Sequence, residues 1–115
     1  MLTTEQERRG NVVVVRAEGD IDEDGVKTLR IALANVIREK EYDVVVNLKG
    51  VRIISYMGIG VLVEQLRQFR CFAGDMKLTG LNLYADRLFR MVGVTSLFQI
   101  FETEDEAVQV YQEAA

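Results

Sequence analysis

The sequence predicts an α/β fold: a mixed β-sheet of about four to five strands with four helices, in the order β-β-α-β-α-β-α-β-α. Three observations carry this expectation. Val44-Val45-Val46 is a branched run without polar alternation, which suits a strand covered on both faces. Apolar residues recur at spacings of three and four in several windows, as on one face of a helix. Windows of the two kinds alternate along the chain, which points to a sheet carrying helices. At 115 residues, residues 1–115 are expected to form one domain around one core. Neither a linker-like stretch nor an internal repeat interrupts them.

In order, Leu2 to Glu7 reads as a first strand, Arg8-Arg9-Gly10-Asn11 as a turn and Val12 to Glu18 as a second strand, giving a hairpin. Gly19-Asp20-Ile21-Asp22 ends it. Asp22 is a candidate cap for a first helix, with Glu23 and Asp24 suited to the positive end of its dipole. Val26, Leu29, Leu33, Val36 and Ile37 make a helical stripe from about Asp24 to Lys40. A central strand is expected over Tyr42 to Leu48, with Lys49 to Ile54 as a connection. Ile59, Leu62, Leu66, Phe69 and Ala73 then mark a second helix from about Met57 to Phe72, with Glu64, Gln65, Arg67, Gln68 and Arg70 facing solvent. Ala73-Gly74-Asp75 stops it, and Met76 to Gly80 is a short strand. Asn82 caps a third helix that ends near Val92 before Gly93, with Ala85, Leu88, Phe89 and Val92 as its apolar face. Leu97 to Phe101 is a last strand. Thr103 and Glu106 form a capping-box pattern opening a helix with Ala107, Val110, Tyr111 and Ala114 inward.

The stretch that promises function is Ser55-Tyr56-Met57-Gly58, between the central strand and the second helix. Strand-to-helix turns of this kind open onto the crevices where α/β sheets recognise partners. Ser55 reads as an N-cap, its hydroxyl accepting from first-turn N–H groups. Gly58 and Gly60 weaken the helix start but let another backbone come close. Tyr56 and Met57 suit either partial packing of the loop or a contact patch, since both residue types are enriched at protein interfaces.

This loop and most of the chain around it resemble the STAS domain of anti-sigma factor antagonists (anti-anti-sigma factors). That family's loop usually reads D-S-S-G or D-S-x-G before an apolar helix often written L-G-V-L, here Ile59-Gly60-Val61-Leu62. Gly19, Ile21 and Asp22 match a G-x-[IL]-D segment, and Lys77-Leu78-Thr79-Gly80 is similar to L-x-L-x-G. Val92-Gly93-Val94 with Leu97-Phe98, and Glu104-Asp105-Glu106-Ala107, mirror its M-x-G-L…F and closing E-x-A-L segments. The resemblance implies a STAS fold. It also implies a partner-binding surface at Asp20, Ile21, Asp22, Ser55, Tyr56, Met57, Gly58, Ile59 and Gly60, together with exposed positions of the second helix.

The resemblance implies a switch as well, and here the residues depart from it. The family's aspartate position is Ser55, its phosphoacceptor serine is Tyr56, and its glycine is Gly58. In the family, the unphosphorylated protein binds an anti-sigma factor that is also a GHKL-type serine kinase, and phosphate on the serine adds roughly −1.5 to −2 charges and releases it. A serine kinase that orients a short hydroxyl would not readily place a phenol. Ser55 is offset by one residue and serves as the cap. Phosphorylation of Ser55, or of Tyr56, is the rival reading.

Composition bounds the rest. The net charge of −4 argues against nucleic acid and anionic membrane surfaces as partners, and no apolar run approaches the roughly 20 residues needed to span a bilayer. The N-terminus lacks signal-peptide features, and the single Cys71 forms no internal disulfide, which together predict a cytoplasmic protein. There is no histidine, so Ser-His and Cys-His catalysis and the commonest metal ligand are missing. Cys71 is expected to be packed or half-buried rather than nucleophilic. No enzyme, cofactor or metal is expected. The function expected is a regulatory protein-binding module that captures an anti-sigma factor kinase and so frees a sigma factor. The alternative is a non-catalytic accessory or scaffold STAS subunit of a signalling or transporter complex; a homodimer fits either.

Overall fold

A computed structural model describes all residues, 1–115. Five strands and four helices alternate in the predicted order: β1 (Leu2–Arg9), β2 (Val12–Ile21), α1 (Gly25–Arg38), β3 (Asp43–Ile54), α2 (Tyr56–Cys71), β4 (Asp75–Thr79), α3 (Leu83–Val92), β5 (Gln99–Phe101) and α4 (Glu104–Ala114). A single 3₁₀ turn, Thr95–Leu97, precedes β5. The sheet is mixed and runs β1-β2-β3-β4-β5. β1 is antiparallel to β2, with Leu2 opposite Gly19 and Arg9 opposite Val12. The two-residue turn between them is Gly10-Asn11, with Gly10 at φ +65°. All later pairings are parallel, as helical crossovers require.

The branched run explains the layering. Val44 and Val46 point into the larger core with Val13, Val15, Leu29, Leu33, Leu62, Leu66 and Phe69, under α1, α2 and α3. Val45 points the other way, with Val12 and Val14, under Ala107, Val108 and Tyr111 of α4. All three valines are 0% exposed. A strand buried on both faces has no polar face to alternate with.

Several boundaries differ from the expectation. β3 does not stop at Leu48 but continues to Ile54, because the tail of β2 pairs with it: Glu18 with Gly50, Asp20 with Ile53, Ile21 with Ile54. Two register shifts in this pairing, each with one extra residue on β3, accommodate the extension, and Lys49, Gly50 and Arg52 hid it. The last strand is shorter than Leu97–Phe101 because Thr95–Leu97 is a 3₁₀ turn. Ala73 leaves the helical stripe, being exposed at φ +61°, where its chain has already turned. Gln65, expected in solvent, is 6% exposed. In α4 it is Val108 that is buried; Val110 is only half-buried and Ala114 is exposed. Val92, expected inward, is also exposed. Cys71 is exposed rather than packed, because it lies in the last turn of α2 beyond Phe69, the last buried residue of that helix.

Candidate functional site

The β3–α2 turn is built by three local devices. Ser55 is extended (φ −84°, ψ 166°), and its Oγ accepts from the Gly58 N–H at 3.1 Å, satisfying one orphan donor of the first turn. The Ser55 N–H donates to the Ile21 carbonyl at 2.9 Å, which ties the turn to the end of β2. Beneath it, Gly58 is packed so closely that an added Cβ would lie 2.6 Å from Ile21 Cγ2 and 2.9 Å from Ile54 Cγ1. Glycine at 58 therefore answers to the core.

Gly60 does not. An added Cβ there meets nothing within 4 Å, and the backbone is ordinary helix. Alanine would be favoured in that helix by about 1 kcal/mol. The fold gives no reason for glycine at this position.

The structure brings the β2–α1 corner and the β3–α2 turn together. Asp20 accepts from Arg52 at 2.9 Å, its backbone N–H donates to the Met1 carbonyl at 3.4 Å, and Asp22 Oδ1 accepts from the Gly25 N–H at 2.8 Å. That bond to the first N–H of α1 draws the Asp22 carboxyl below its ordinary range. Asp22 thus holds the first N–H of α1 from outside the helix; the N-cap position is Asp24, whose side chain makes no cap bond, and Glu23 and Asp24 precede the first turn rather than lying in it.

Of the nine residues proposed from the sequence, three present side chains. Tyr56 is 60% exposed and Met57 58%, while Asp22 is exposed at the corner. Ser55 and Asp20 are half-buried. Ile21 and Ile59 are 0% and 3% exposed; they lie under the surface and hold it, since both belong to the larger core. Gly58 is likewise covered, whereas Gly60 opens onto solvent.

A second polar centre lies on the opposite face of the sheet, and sequence reasoning did not find it. Glu104, in the first turn of α4, accepts from Arg16 Nε and Nη2, both at 2.8 Å, from Asn47 Nδ2 at 3.0 Å and from Arg9 Nη1 at 2.9 Å. Its side chain is 14% exposed. The Arg16 fork, with Asn47 and Arg9 adding to it, holds the Glu104 carboxyl down at about 2 against an ordinary 4.5. Arg16 and Glu104 are 88 residues apart, so only the alternation of β2 hinted that Arg16 would face α4. A cleft of about 720 Å³ adjoins this centre, lined by Asn47, Lys49, Thr79, Asn82 and Thr103 among others. Neither it nor the neighbouring cleft beside Arg16 and Lys49 includes the Ser55 turn. No cluster of three His, Cys, Asp or Glu side chains is placed to hold a metal ion, and no helix is long and apolar enough to cross a membrane.

Comparison with known proteins agrees with this architecture. The family model described as the STAS domain matches residues 3–107. The chain is similar to an anti-sigma F factor antagonist of Paenibacillus polymyxa, 24% identical over 108 residues, covering 93% of this chain and 92% of that protein. Its fold superposes on an anti-sigma factor antagonist from Mycobacterium paratuberculosis with a TM-score of 0.87 at 22% identity, covering 96% of this chain and 93% of that one. It also superposes on the phosphorylated form of the Bacillus cell fate determinant SpoIIAA, with a TM-score of 0.73 at 20% identity, covering 95% and 99%.

Proposed function

This chain belongs to the STAS-domain family, and from that premise we propose that residues 1–115 work as a single non-catalytic regulatory module, in the cytoplasm, by binding a partner protein. The partner is an anti-sigma factor of the GHKL serine-kinase type, and its capture frees a sigma factor. Support for the antagonist role comes from the relatives that bear that name. The observation that carries the site is the presentation of Tyr56 and Met57. Both stand more than half exposed on a turn fixed from below by Ser55, Ile21 and Gly58. Large side chains held out over a rigid base fit an interface better than a core, because little further ordering is needed on docking.

The same turn supports binding that is not switched off in the family's usual way. The position of the phosphoacceptor serine is Tyr56, and the Ser55 hydroxyl is engaged with the Gly58 N–H. Binding is therefore constitutive toward a serine kinase. The test combines calorimetry of the purified kinase with intact-mass analysis of the protein after incubation with that kinase and ATP. Binding should be lost by about tenfold or more in the double variant Tyr56→Ala, Met57→Ala, and the mass should not change. A gain of about 80 Da mapped to Ser55 would restore the usual switch. Co-purification with a transporter or scaffold subunit in place of a kinase would favour an accessory role.

A further inference from the structure

α1 and α2 pack side by side over the sheet, bridged by the Arg30–Glu64 ion pair at 3.2 Å. Their charge is unlike that of the rest of the chain. Together they hold five cations, Lys27, Arg30, Arg38, Arg67 and Arg70, and one carboxylate, Glu64. That is +4 in a chain whose formal total is −4, so the remainder (−4 less +4) carries −8. Arg70 is spent on Asp75 and Arg30 on Glu64, while Lys27 and Arg67 are exposed and pair with no carboxylate within 4.0 Å.

The bare backbone at Gly60 falls on this face. One turn before the Arg30–Glu64 bridge come Lys27 on α1 and Gly60 on α2, so the helical repeat sets the dent beside a free cation. Ile31 follows Lys27 by one turn and is 62% exposed. Tyr56 and Met57 precede Gly60 by one turn.

Resting on the protein-binding role above, we propose that this α1–α2 face is a docking surface for an acidic amphipathic helix of the partner protein. Its backbone crosses α2 at Gly60, its apolar side chains rest on Met57 and Ile31, and its carboxylates meet Lys27 and Arg67. Glycine at the crossing lets two helix axes approach to the near end of the usual 8–10 Å. The cations select acidic over basic helices. A lipid sheet fits less well, because a flat bilayer does not enter a one-residue dent at Gly60.

The test uses the whole chain and two labelled synthetic helices. Both have leucine at i, i+3, i+4 and i+7, with either glutamate or lysine elsewhere. Fluorescence anisotropy should show the glutamate helix binding about tenfold or more tighter than the lysine one. Amide shifts should map to residues 27–31 and 56–67. Arg67→Glu should weaken binding by about fivefold and Gly60→Gln by about tenfold, with the unfolding midpoint of neither variant lowered. Equal binding of the two helices overturns the proposal, as do shifts centred on Leu83, Tyr84 and Met91 of α3. Sedimentation with phosphatidylglycerol vesicles that needs Arg67 assigns the face to membranes instead. Salt-sensitive dimerisation abolished by Arg67→Glu assigns it to a second copy. With the purified kinase as ligand, binding that survives Arg67→Glu and Gly60→Gln but not Tyr56→Ala sinks this surface and leaves the functional reading standing. Failure of the unaltered chain to bind the kinase, with the peptide results intact, does the reverse.

Discussion

Gly58 and Gly60 are two residues apart in one helix turn, and the fold treats them oppositely. Alanine at 58 pushes a methyl into Ile21 and Ile54; overpacking of about 1–3 kcal/mol outweighs the helix gain of about 1. Gly58→Ala should therefore lower stability by up to about 2 kcal/mol in urea unfolding followed by circular dichroism. Gly60→Ala, with open space around it, should raise it by up to about 1 kcal/mol in the same measurement. Ser55→Ala frees the Gly58 N–H and should cost about 1 kcal/mol, whereas Tyr56→Phe should leave the midpoint in place. Cys71 is exposed, so a thiol reagent should label it fully in the folded protein; labelling only after denaturant would contradict its placement. The Ser55 cap was readable from the sequence because capping is decided by neighbours a turn away. The difference between the two glycines was not, since it depends on side chains brought in from β2 and the end of β3.

At the level of elements, α4 is joined to the sheet by more than its apolar stripe. Glu104 clasps Arg9 of β1, Arg16 of β2 and Asn47 of β3, and Tyr111 donates to the Val44 carbonyl at 2.9 Å. Because folding lowers the Glu104 pKa from 4.5 to about 2, its contribution is fully present above about pH 4.5 and is lost as pH falls toward 2. At 1.36 kcal/mol per unit, less what solvent screens around the partly exposed Arg16, this is on the order of 2–3 kcal/mol. Glu104→Gln should lose roughly that much at pH 7. It should also flatten the fall of stability between pH 4.5 and 2, as read from urea titrations at stepped pH. Element type was legible wherever the period was clear, as in α1 and the valine run. β3 beyond Leu48 was not, because its pairing partner is the Glu18–Ile21 stretch, where the second strand reads as ending. Nor was the clasp, whose members are 57 and 88 residues from Glu104 in Asn47 and Arg16.

Taken as a whole, the molecule has two working sides divided by one sheet. The candidate surface gathers where β2 enters α1 and β3 enters α2. The family's order of strands and helices was readable because several weak segments fell in sequence, yet which named residues would be exposed was not. Ile21 and Ile59 carry the resemblance and lie inside; Tyr56 and Met57 depart from it and lie outside. The hydrogen bond from Asp20 to the Met1 carbonyl has a practical side. Anything spliced ahead of Met1 emerges beside Asp20, at the mouth of the candidate surface, while Ala115 follows α4 on the far side of the sheet. If the proposed partner binds there, a leading purification handle should weaken that binding in calorimetry, and the same handle moved to the tail should not. Measurements made only with leading handles would understate the affinity of the proposed surface.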